Sequence, residues 1–186
     1  SLTTTDSMPV AGTVTAGATA LTVDAAPNGD VTFVGAANLG SLTVIADVVD
    51  LANVFTTGPQ TVIGADIQLN GTTYTSTFAG ALSFNGPVTL NADTAMTTAG
   101  ATGDNIILNG TVDGAFALTL NAGAAGAVTL GGVVGGGDPL ASLSITADMT
   151  YIYGGAVTTN GNQLYTSDVT LGDDTTLMGE DISFVG

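Results

Sequence analysis

Carboxylates are the main candidates for chemistry in this sequence, because it contains no histidine, cysteine, lysine or arginine. The one adjacent aspartate pair is Asp173-Asp174, and Glu180-Asp181 follows shortly after it. Two carboxylates on either side of a glycosidic bond are the usual machinery of glycoside hydrolysis. Neighbouring residues of a strand point to opposite faces, however, and no arginine is present to hold a sugar acid. We therefore expect these carboxylates to lie in a solvated turn, and we expect the chain not to be an enzyme.

A second chemical interpretation is calcium binding, since calcium prefers clustered carboxylate and carbonyl oxygens. The aspartates considered as ligands are Asp47, Asp50, Asp104, Asp113, Asp138 and Asp148. The repeats-in-toxin motif is absent, because the aspartate of residues 135–139 comes too early and proline follows it. EF-hand spacing is absent too. The sequence thus assigns no metal ligand and predicts no cofactor, and calcium stays open as an alternative.

The formal net charge of −16 has no basic side chain to offset it. Nucleic acids and acidic polysaccharides are therefore excluded as expected partners, because binding their phosphates and carboxylates requires lysine or arginine. The same absences exclude a Ser-His-Asp triad, a thiol nucleophile, a lysine Schiff base and a structural zinc site. No apolar run approaches the roughly 20 residues of a membrane helix, so no membrane insertion is expected.

Two threonine pairs have the spacing of an ice-binding face. Thr13/Thr15 and Thr75/Thr77 both read Thr-x-Thr, but the spacing does not recur regularly along the chain. Threonine is also favoured on the solvent face of strands, where its branched side chain suits the pleat. We expect these threonines to decorate strands.

Asparagine sequons and a tyrosine pair complete the candidate sites. Residues 70–72 and 109–111 read Asn-Gly-Thr, the acceptor sequence for glycosylation, although chance explains them in a chain this rich in these residues. Tyr151 and Tyr153 are two residues apart and share a strand face. We expect them to pack against a neighbouring coil or chain rather than to form a sugar platform.

The dominant local pattern is an apolar–polar–apolar triplet, the period of a strand with one buried face. Helix-forming residues such as Glu, Lys, Arg and Gln are nearly missing. Turn residues, including several Asn-Gly pairs, separate the triplets. The triplets begin at Leu21, Val31, Leu42, Ile67, Leu82, Val88, Leu118, Val128, Leu143, Val169 and Ile182.

The chain also repeats itself at long range. Residues 20–25 match 117–122 at an offset of 97, and residues 41–47 match 142–148 at an offset of 101. The triplet at Val169 matches the one at Val88 at an offset of 81 and the one at Ile67 at an offset of 102. We interpret residues 12–109 and 110–186 as two internal repeats within one segment that spans residues 1–186.

The offsets of 81 and 102 differ by 21 residues (102 − 81). This difference indicates that the first repeat contains one additional structural unit of that length. A unit of about 21 residues with two or three short strands is one coil of a parallel β-solenoid. Solenoids gain or lose such units readily, because each coil contacts only its neighbours. We therefore predict an all-β parallel solenoid of eight or nine coils. An antiparallel β-sandwich is the alternative fold, since Asn-Gly also marks hairpins.

The repeats resemble those of filamentous-haemagglutinin-like proteins and autotransporter passengers of Gram-negative bacteria. The residues that carry the resemblance run from Ala117 through residues 128–130 and 139–143, and from residues 163–165 to 169–171. The resemblance covers most of the chain from about residue 12, although such repeats are seldom devoid of basic residues. It implies a right-handed parallel β-helix with a role in adhesion, biofilm or surface fibres, and it carries over no binding residue.

These observations predict an extracellular or bacterial cell-surface protein with a structural or adhesive role. Residues 182–186 match residues 106–110. Residues 12–14 resemble residues 110–112, which continue the chain directly after that match, so the two ends of the sequence look able to continue one another. We expect end-to-end self-association into filaments, since open strand edges recruit partners. No receptor or glycan is assigned. The alternative is a calcium-dependent surface-layer or repeats-in-toxin-like module.

Overall fold

The computed structural model is an all-β solenoid, and it describes residues 1–4, 6–26, 28–172 and 174–186. All strand pairs in these residues are parallel, and successive coils lie about 21 residues apart. The predicted solenoid is thus confirmed, and the antiparallel sandwich is wrong because no hairpin pairing occurs in the described chain. The right-handed winding stays a prediction. No helix in these ranges is long and apolar enough to cross a membrane.

The described residues form 24 strands. In chain order these are β1 (Leu2–Thr3), β2 (Met8–Val10), β3 (Val14–Thr15), β4 (Ala20–Asp24), β5 (Val31–Phe33), β6 (Ala37–Leu39), β7 (Ser41–Ile45), β8 (Val48–Leu51), β9 (Val54–Thr56), β10 (Gln60–Ile63), β11 (Asp66–Leu69), β12 (Thr73–Ser76), β13 (Leu82–Asn85), β14 (Val88–Leu90), β15 (Thr94–Thr97), β16 (Ile106–Leu108), β17 (Val112–Asp113), β18 (Ala117–Asn121), β19 (Ala127–Leu130), β20 (Ser142–Ile152), β21 (Ala156–Thr158), β22 (Gln163–Leu171), β23 (Thr176–Met178) and β24 (Ile182–Phe184).

The strands stack into three faces around one core, and nine coils can be followed through the described chain. The first face contains β1, β4, β7, β10, β13, β16, β19 and the second halves of β20 and β22. The second face contains β2, β5, β8, β11, β14, β17, the bridge residue Val134, β21 and β23. The third face contains β3, β6, β9, β12, β15, β18, the first halves of β20 and β22, and β24.

Coil length varies along the rod because the corners differ in length. The shortest step between paired residues of successive coils runs from Ala37 to Val54, and the longest runs from Leu118 to Leu143. Pairing within each face stays in register despite this variation, so insertions are absorbed at the corners. At about 4.8 Å per coil, nine coils make a rod on the order of 40 Å long.

The core follows directly from the strand triplets. The outer residues of each triplet point inward and stack on the same positions of the next coil, while the central residue faces outward. Val23, Val44 and Val62 form one such column, and all three are fully buried. Burying aliphatic surface in continuous columns contributes about 25 cal/mol per Å² of apolar area, which is the main stabilising term of the rod.

The core also contains aromatic residues, although aromatic residues make up only 5% of the chain. Tyr74 and Phe84 are fully buried, and their rings meet edge to face with centroids 6.1 Å apart. The Tyr74 hydroxyl donates to the Leu51 carbonyl at 2.8 Å and accepts from the Gly71 N–H at 3.1 Å. The buried Tyr165 hydroxyl donates to Oε1 of Gln163 at 2.8 Å. Each phenol is tolerated inside because a neighbouring coil or side chain pairs it.

The two buried phenols should make the protein sensitive to alkaline pH. Burial raises the pKa of Tyr74 and of Tyr165 well above the ordinary value of about 10. Their stabilising contribution is therefore complete below about pH 10 and is lost as the pH rises further, by up to about 1.4 kcal/mol per pH unit for each tyrosine. We expect the free energy of unfolding, measured in guanidinium at pH 9 and pH 11, to fall. Stability that is unchanged between these pH values, or an equal fall in the Tyr74→Phe/Tyr165→Phe variant, would contradict this assignment.

Glycines stack into a column at the corner between the first and second faces. Gly64, Gly86, Gly110, Gly132 and Gly154 occupy this corner in five successive coils. A Cβ atom on any of the last four would overlap the backbone carbonyl of the glycine in the preceding coil. Successive coils therefore approach each other so closely at this corner that no side chain fits between them.

The long-range sequence repeats connect strands that lie on different faces. Leu21 lies on the first face, whereas its match Leu118 lies on the third face. Val88 lies on the second face, and its match Val169 lies on the first. In each case the later copy is displaced by one face. The division into repeats 12–109 and 110–186 stays a prediction, and any such repeat is not a whole number of coils.

Candidate functional site

Negative charge is concentrated on one side of the rod. Eleven of the 15 carboxylates in the described residues lie on the second face or at its two flanking corners: Asp6, Asp30, Asp47, Asp50, Asp66, Asp93, Asp113, Asp138, Asp174, Glu180 and Asp181. Asp24 and Asp168 lie on the first face, and Asp104 and Asp148 lie at the corner between the third and first faces. The strands of the third face carry none. The second face will therefore repel an identical face most strongly.

The candidate acid–base carboxylates are not brought together as a pair in the described residues. Asp173 lies outside the described residues, so its position relative to Asp174 is not described. Asp174 precedes β23, whereas Glu180 and Asp181 follow it, and these three side chains are exposed. They thus occupy two different corners of the last coil. Their arrangement supports the solvated-turn interpretation.

Asp104, one of the aspartates considered as calcium ligands, is buried. It is only 4% exposed, and its Oδ1 accepts from the Gly80 N–H at 2.7 Å. Its Oδ2 accepts from the Ala101 N–H at 3.1 Å, and its backbone carbonyl accepts from the Thr98 hydroxyl at 2.7 Å. Both carboxylate oxygens are therefore used to fasten two neighbouring corner loops. Charge-assisted bonds to backbone N–H groups explain how a lone carboxylate is tolerated there.

The other proposed calcium ligands also have local roles or lie in solvent. Oδ1 of Asp113 accepts from the N–H groups of Gly137 and Asp138 at 2.7 and 3.2 Å, which shapes the glycine loop. Oδ2 of Asp50 accepts from the Thr32 hydroxyl at 3.1 Å. Asp47 and Asp148 are exposed. In residues 1–4, 6–26, 28–172 and 174–186, no group of three or more carboxylates is placed to hold a metal ion.

The threonine pairs do not form a common array. Thr13 and Thr15 are exposed in the first coil, next to an open end of the stack. Thr75 lies on the outside of the third face, but the Thr77 hydroxyl at the following corner donates to the Thr56 carbonyl at 3.2 Å. The two pairs lie three coils apart.

The sequon asparagines and the tyrosine pair are accessible on the rod. Asn70 and Asn109 are exposed, and each takes part in an asparagine contact between coils: Asn91 donates to Asn70 at 2.9 Å and Asn109 donates to Asn85 at 2.6 Å. Tyr151 and Tyr153 stack on the outer side of the first face with centroids 5.9 Å apart and planes within 15°. Nothing in these contacts identifies a ligand.

Two buried glutamines make the same set of hydrogen bonds at two corners of the rod, and the sequence analysis did not identify this motif. Nε2 of Gln60 donates to the Val54 carbonyl at 3.3 Å, to the Thr56 hydroxyl at 3.2 Å and, in the next coil, to the Thr75 carbonyl at 3.0 Å. Nε2 of Gln163 makes the same three bonds at the same sequence separations, to Val157, Thr159 and Met178. The sequence pattern that could have identified this motif is Val-x-Thr-x-Gly-x-Gln, which occurs at residues 54–60 and 157–163.

Both ends of the rod, as the described residues form it, expose apolar side chains at core positions. Inward-facing residues of the first coil are Leu2, Met8, Val10 and Val14; those of the last coil are Val169, Leu171, Leu177, Ile182 and Phe184. All nine are apolar and occupy core positions, yet Leu2 is 48% exposed and Phe184 is 55% exposed. A cavity of about 450 Å³ opens at the last coil and is lined in part by Leu171, Leu177 and Phe184.

The end coils also have strand edges that no other described strand covers. Within the described part of the chain, nothing pairs with the outer edges of β1, β2 and β3 at one end, or with those of the second half of β22, β23 and β24 at the other. Open edges with apolar side chains are the surfaces through which sheets recruit further strands. The candidate functional site is therefore the pair of end surfaces. Comparisons of the chain with protein-family models, with curated proteins and with solved structures found no match.

Proposed function

We propose that this chain is a structural segment of an extended extracellular fibre or stalk, which serves surface attachment, cell–cell contact or a biofilm matrix. The observation that carries the proposal is one apolar core that runs through nine in-register coils of the described residues and is uncovered in the first and last of these coils. Such a core makes a stiff rod that lengthens by adding coils, since each coil needs only its neighbours. Adhesion and location outside the cell rest on the resemblance to large surface adhesins.

The charge distribution supports a fibre rather than an aggregate. Eleven carboxylates on or beside the second face repel other rods laterally, while the exposed apolar residues at the ends favour contact along the axis. Net charge of one sign keeps proteins dispersed and limits nonspecific association. The chain also lacks lysine and arginine, so trypsin-like proteases have no cleavage site in it.

Electron microscopy and circular dichroism of the purified chain in EDTA would test this proposal. We expect a β-type spectrum and thin rods or filaments of uniform width without calcium, because backbone ladders and apolar columns hold the described coils together. Particles that gain β-structure or order only after calcium is added would overturn the proposal in favour of a calcium-dependent surface-layer module. In that case Asp113 and Asp138 would be the first residues to substitute.

A further inference from the structure

We propose that the last coil of one molecule docks onto the first coil of a second copy, head to tail and in one fixed register. This inference rests on the fibre proposed above and specifies the partner and geometry of its end surfaces. The register follows from the columns within the rod. Leu171 continues the column of Leu2, Leu177 that of Met8, and Phe184 that of Val14.

The two end coils have closely similar dimensions. In the first coil, Met8 follows Leu2 by six positions and Val14 follows Met8 by six. In the last coil, Leu177 follows Leu171 by six positions and Phe184 follows Leu177 by seven. The first and second coils, which are directly stacked, differ by more than this. In the second coil the corresponding intervals, from Val23 to Val31 to Ala37, are eight and six residues.

Side-chain chemistry at the junction is complementary as well. The first coil presents Met8, Val10 and Val14, none of which is larger than methionine, beneath the buried Ala37. The last coil presents Phe184, whose ring stacks on Tyr165 with centroids 5.0 Å apart. Docking would bury Phe184 and Leu171, now 55% and 51% exposed, against this aliphatic surface and would close the cavity at the last coil. Parallel pairing would also satisfy the open strand edges at both ends.

The geometry predicts an open polymer rather than a closed dimer. The two surfaces are different, so the contact is heterologous and each addition leaves a free end of each kind. Carboxylates lie near both sides of the junction: Asp6 on the first coil and Asp168, Asp174, Glu180 and Asp181 on the last. Their repulsion is screened over about 8 Å at physiological ionic strength. Polymerisation should therefore increase when salt is added.

Cysteine pairs can report the register, because the chain has no cysteine of its own. In the proposed register Val185 continues the outward column that begins at Thr15, so the Thr15→Cys/Val185→Cys variant should oxidise to a ladder of disulfide-linked multimers. A bond within one molecule is impossible, since about 40 Å of rod separates two Cα atoms that must lie within about 7 Å. The matched control is Thr15→Cys/Ser183→Cys, which shifts one thiol by two residues on the same face. It should give few multimers.

A second pair of variants tests the apolar contact. Phe184→Asp places a carboxylate in the junction and should abolish filaments in sedimentation and microscopy. Phe78→Asp replaces a side chain that is 81% exposed at a lateral corner, so it should leave filaments unchanged. Both residues are exposed in the single rod, so both variants should keep the wild-type β-type spectrum.

The outcomes separate this inference from the fibre proposal. Calcium-independent rods that stay monomeric at millimolar concentration and high salt, or that cross-link equally through Ser183, would overturn the head-to-tail register and leave the rod itself supported. Disulfide dimers formed by Val185→Cys alone, with no higher multimers from the pair, would indicate tail-to-tail pairing and would also overturn it. A chain that folds only with calcium would overturn both proposals.

Discussion

Replacing Gly110 with alanine should cost the fold about 3 to 5 kcal/mol, among the largest losses for any single methyl group in this protein. The new Cβ would overlap the carbonyl oxygen and carbon of Gly86 and would lie 2.6 Å from the nitrogen of Pro87. All three are backbone atoms of the preceding coil, so no rotation of a side chain can relieve the overlap. The two coils would have to separate at that corner, which breaks apolar columns on both adjoining faces.

Gly103→Ala is the matched control for this prediction. Its Cβ would have nothing within 4 Å, but its φ of +91° is unfavourable for alanine and should cost about 1 to 2 kcal/mol. Both substitutions restrict the unfolded chain similarly, so this effect cancels between them. The measurement is the free energy of unfolding in guanidinium. Equal losses at the two positions would show that the coils do not touch at the glycine column.

The glycine column also illustrates what sequence reasoning can and cannot find in this fold. Period-two alternation around residues such as Leu42 and Val44 predicts strands with one buried side, because that pattern depends only on which side chains leave water. The difference between the repeat offsets predicts stacked coils. Neither signal states which of three faces a strand joins. That depends on how sharply each corner turns, and the turn at Gly110 is set by contact with Gly86 in another coil.

The repeats show the same limit. Leu21 and Leu118 lie in nearly identical local sequences, yet Leu21 is on the first face and Leu118 is on the third. The reason is that the chain between them completes four coils and then continues for two further strands. Local sequence similarity thus conserves strands and corners without conserving position in the coil. The exposed end surfaces could be anticipated from the matching ends of the sequence. Burial of Asp104 could not, since it depends on the backbone N–H of Gly80 in the preceding coil.

Replacing Gln163 with leucine should destabilise the protein by about 3 kcal/mol or more, because a buried polar group that loses its partner costs about 1 to 3 kcal/mol. The carboxamide is 1% exposed and fastens a corner of its own coil to the Met178 carbonyl of the next at 2.7 Å. Its Oε1 also accepts from the buried Tyr165 hydroxyl. Leucine fills similar space but leaves the Met178 carbonyl, the Thr159 hydroxyl and the tyrosine O–H with fewer partners.

Gln60→Leu is the matched comparison, and we expect it to cost about 1 to 2 kcal/mol less. The two glutamines donate the same three bonds, but Val62 stands where Tyr165 stands in the second motif, so no hydroxyl is orphaned. Oε1 of Gln60 is moreover the one buried side-chain polar atom that lacks a hydrogen-bond partner in the described residues, and the substitution removes it. The carboxamide of this motif thus has all its hydrogen-bonding groups paired at the Gln163 corner, whereas its oxygen is unpaired at the Gln60 corner.

A double-mutant cycle isolates the hydrogen bond between Tyr165 and Gln163 from the other hydrogen bonds of the Gln163 carboxamide. Tyr165→Phe in the wild-type background breaks the 2.8 Å bond to Gln163, whereas in the Gln163→Leu background it removes a hydroxyl that has already lost its acceptor. We expect a coupling free energy of about 1 kcal/mol or more between the two positions, measured by guanidinium unfolding. Additive losses, or equal losses for Gln60→Leu and Gln163→Leu, would show that the carboxamide acts only through its donor bonds. The tyrosine would then contribute to the core through its ring alone.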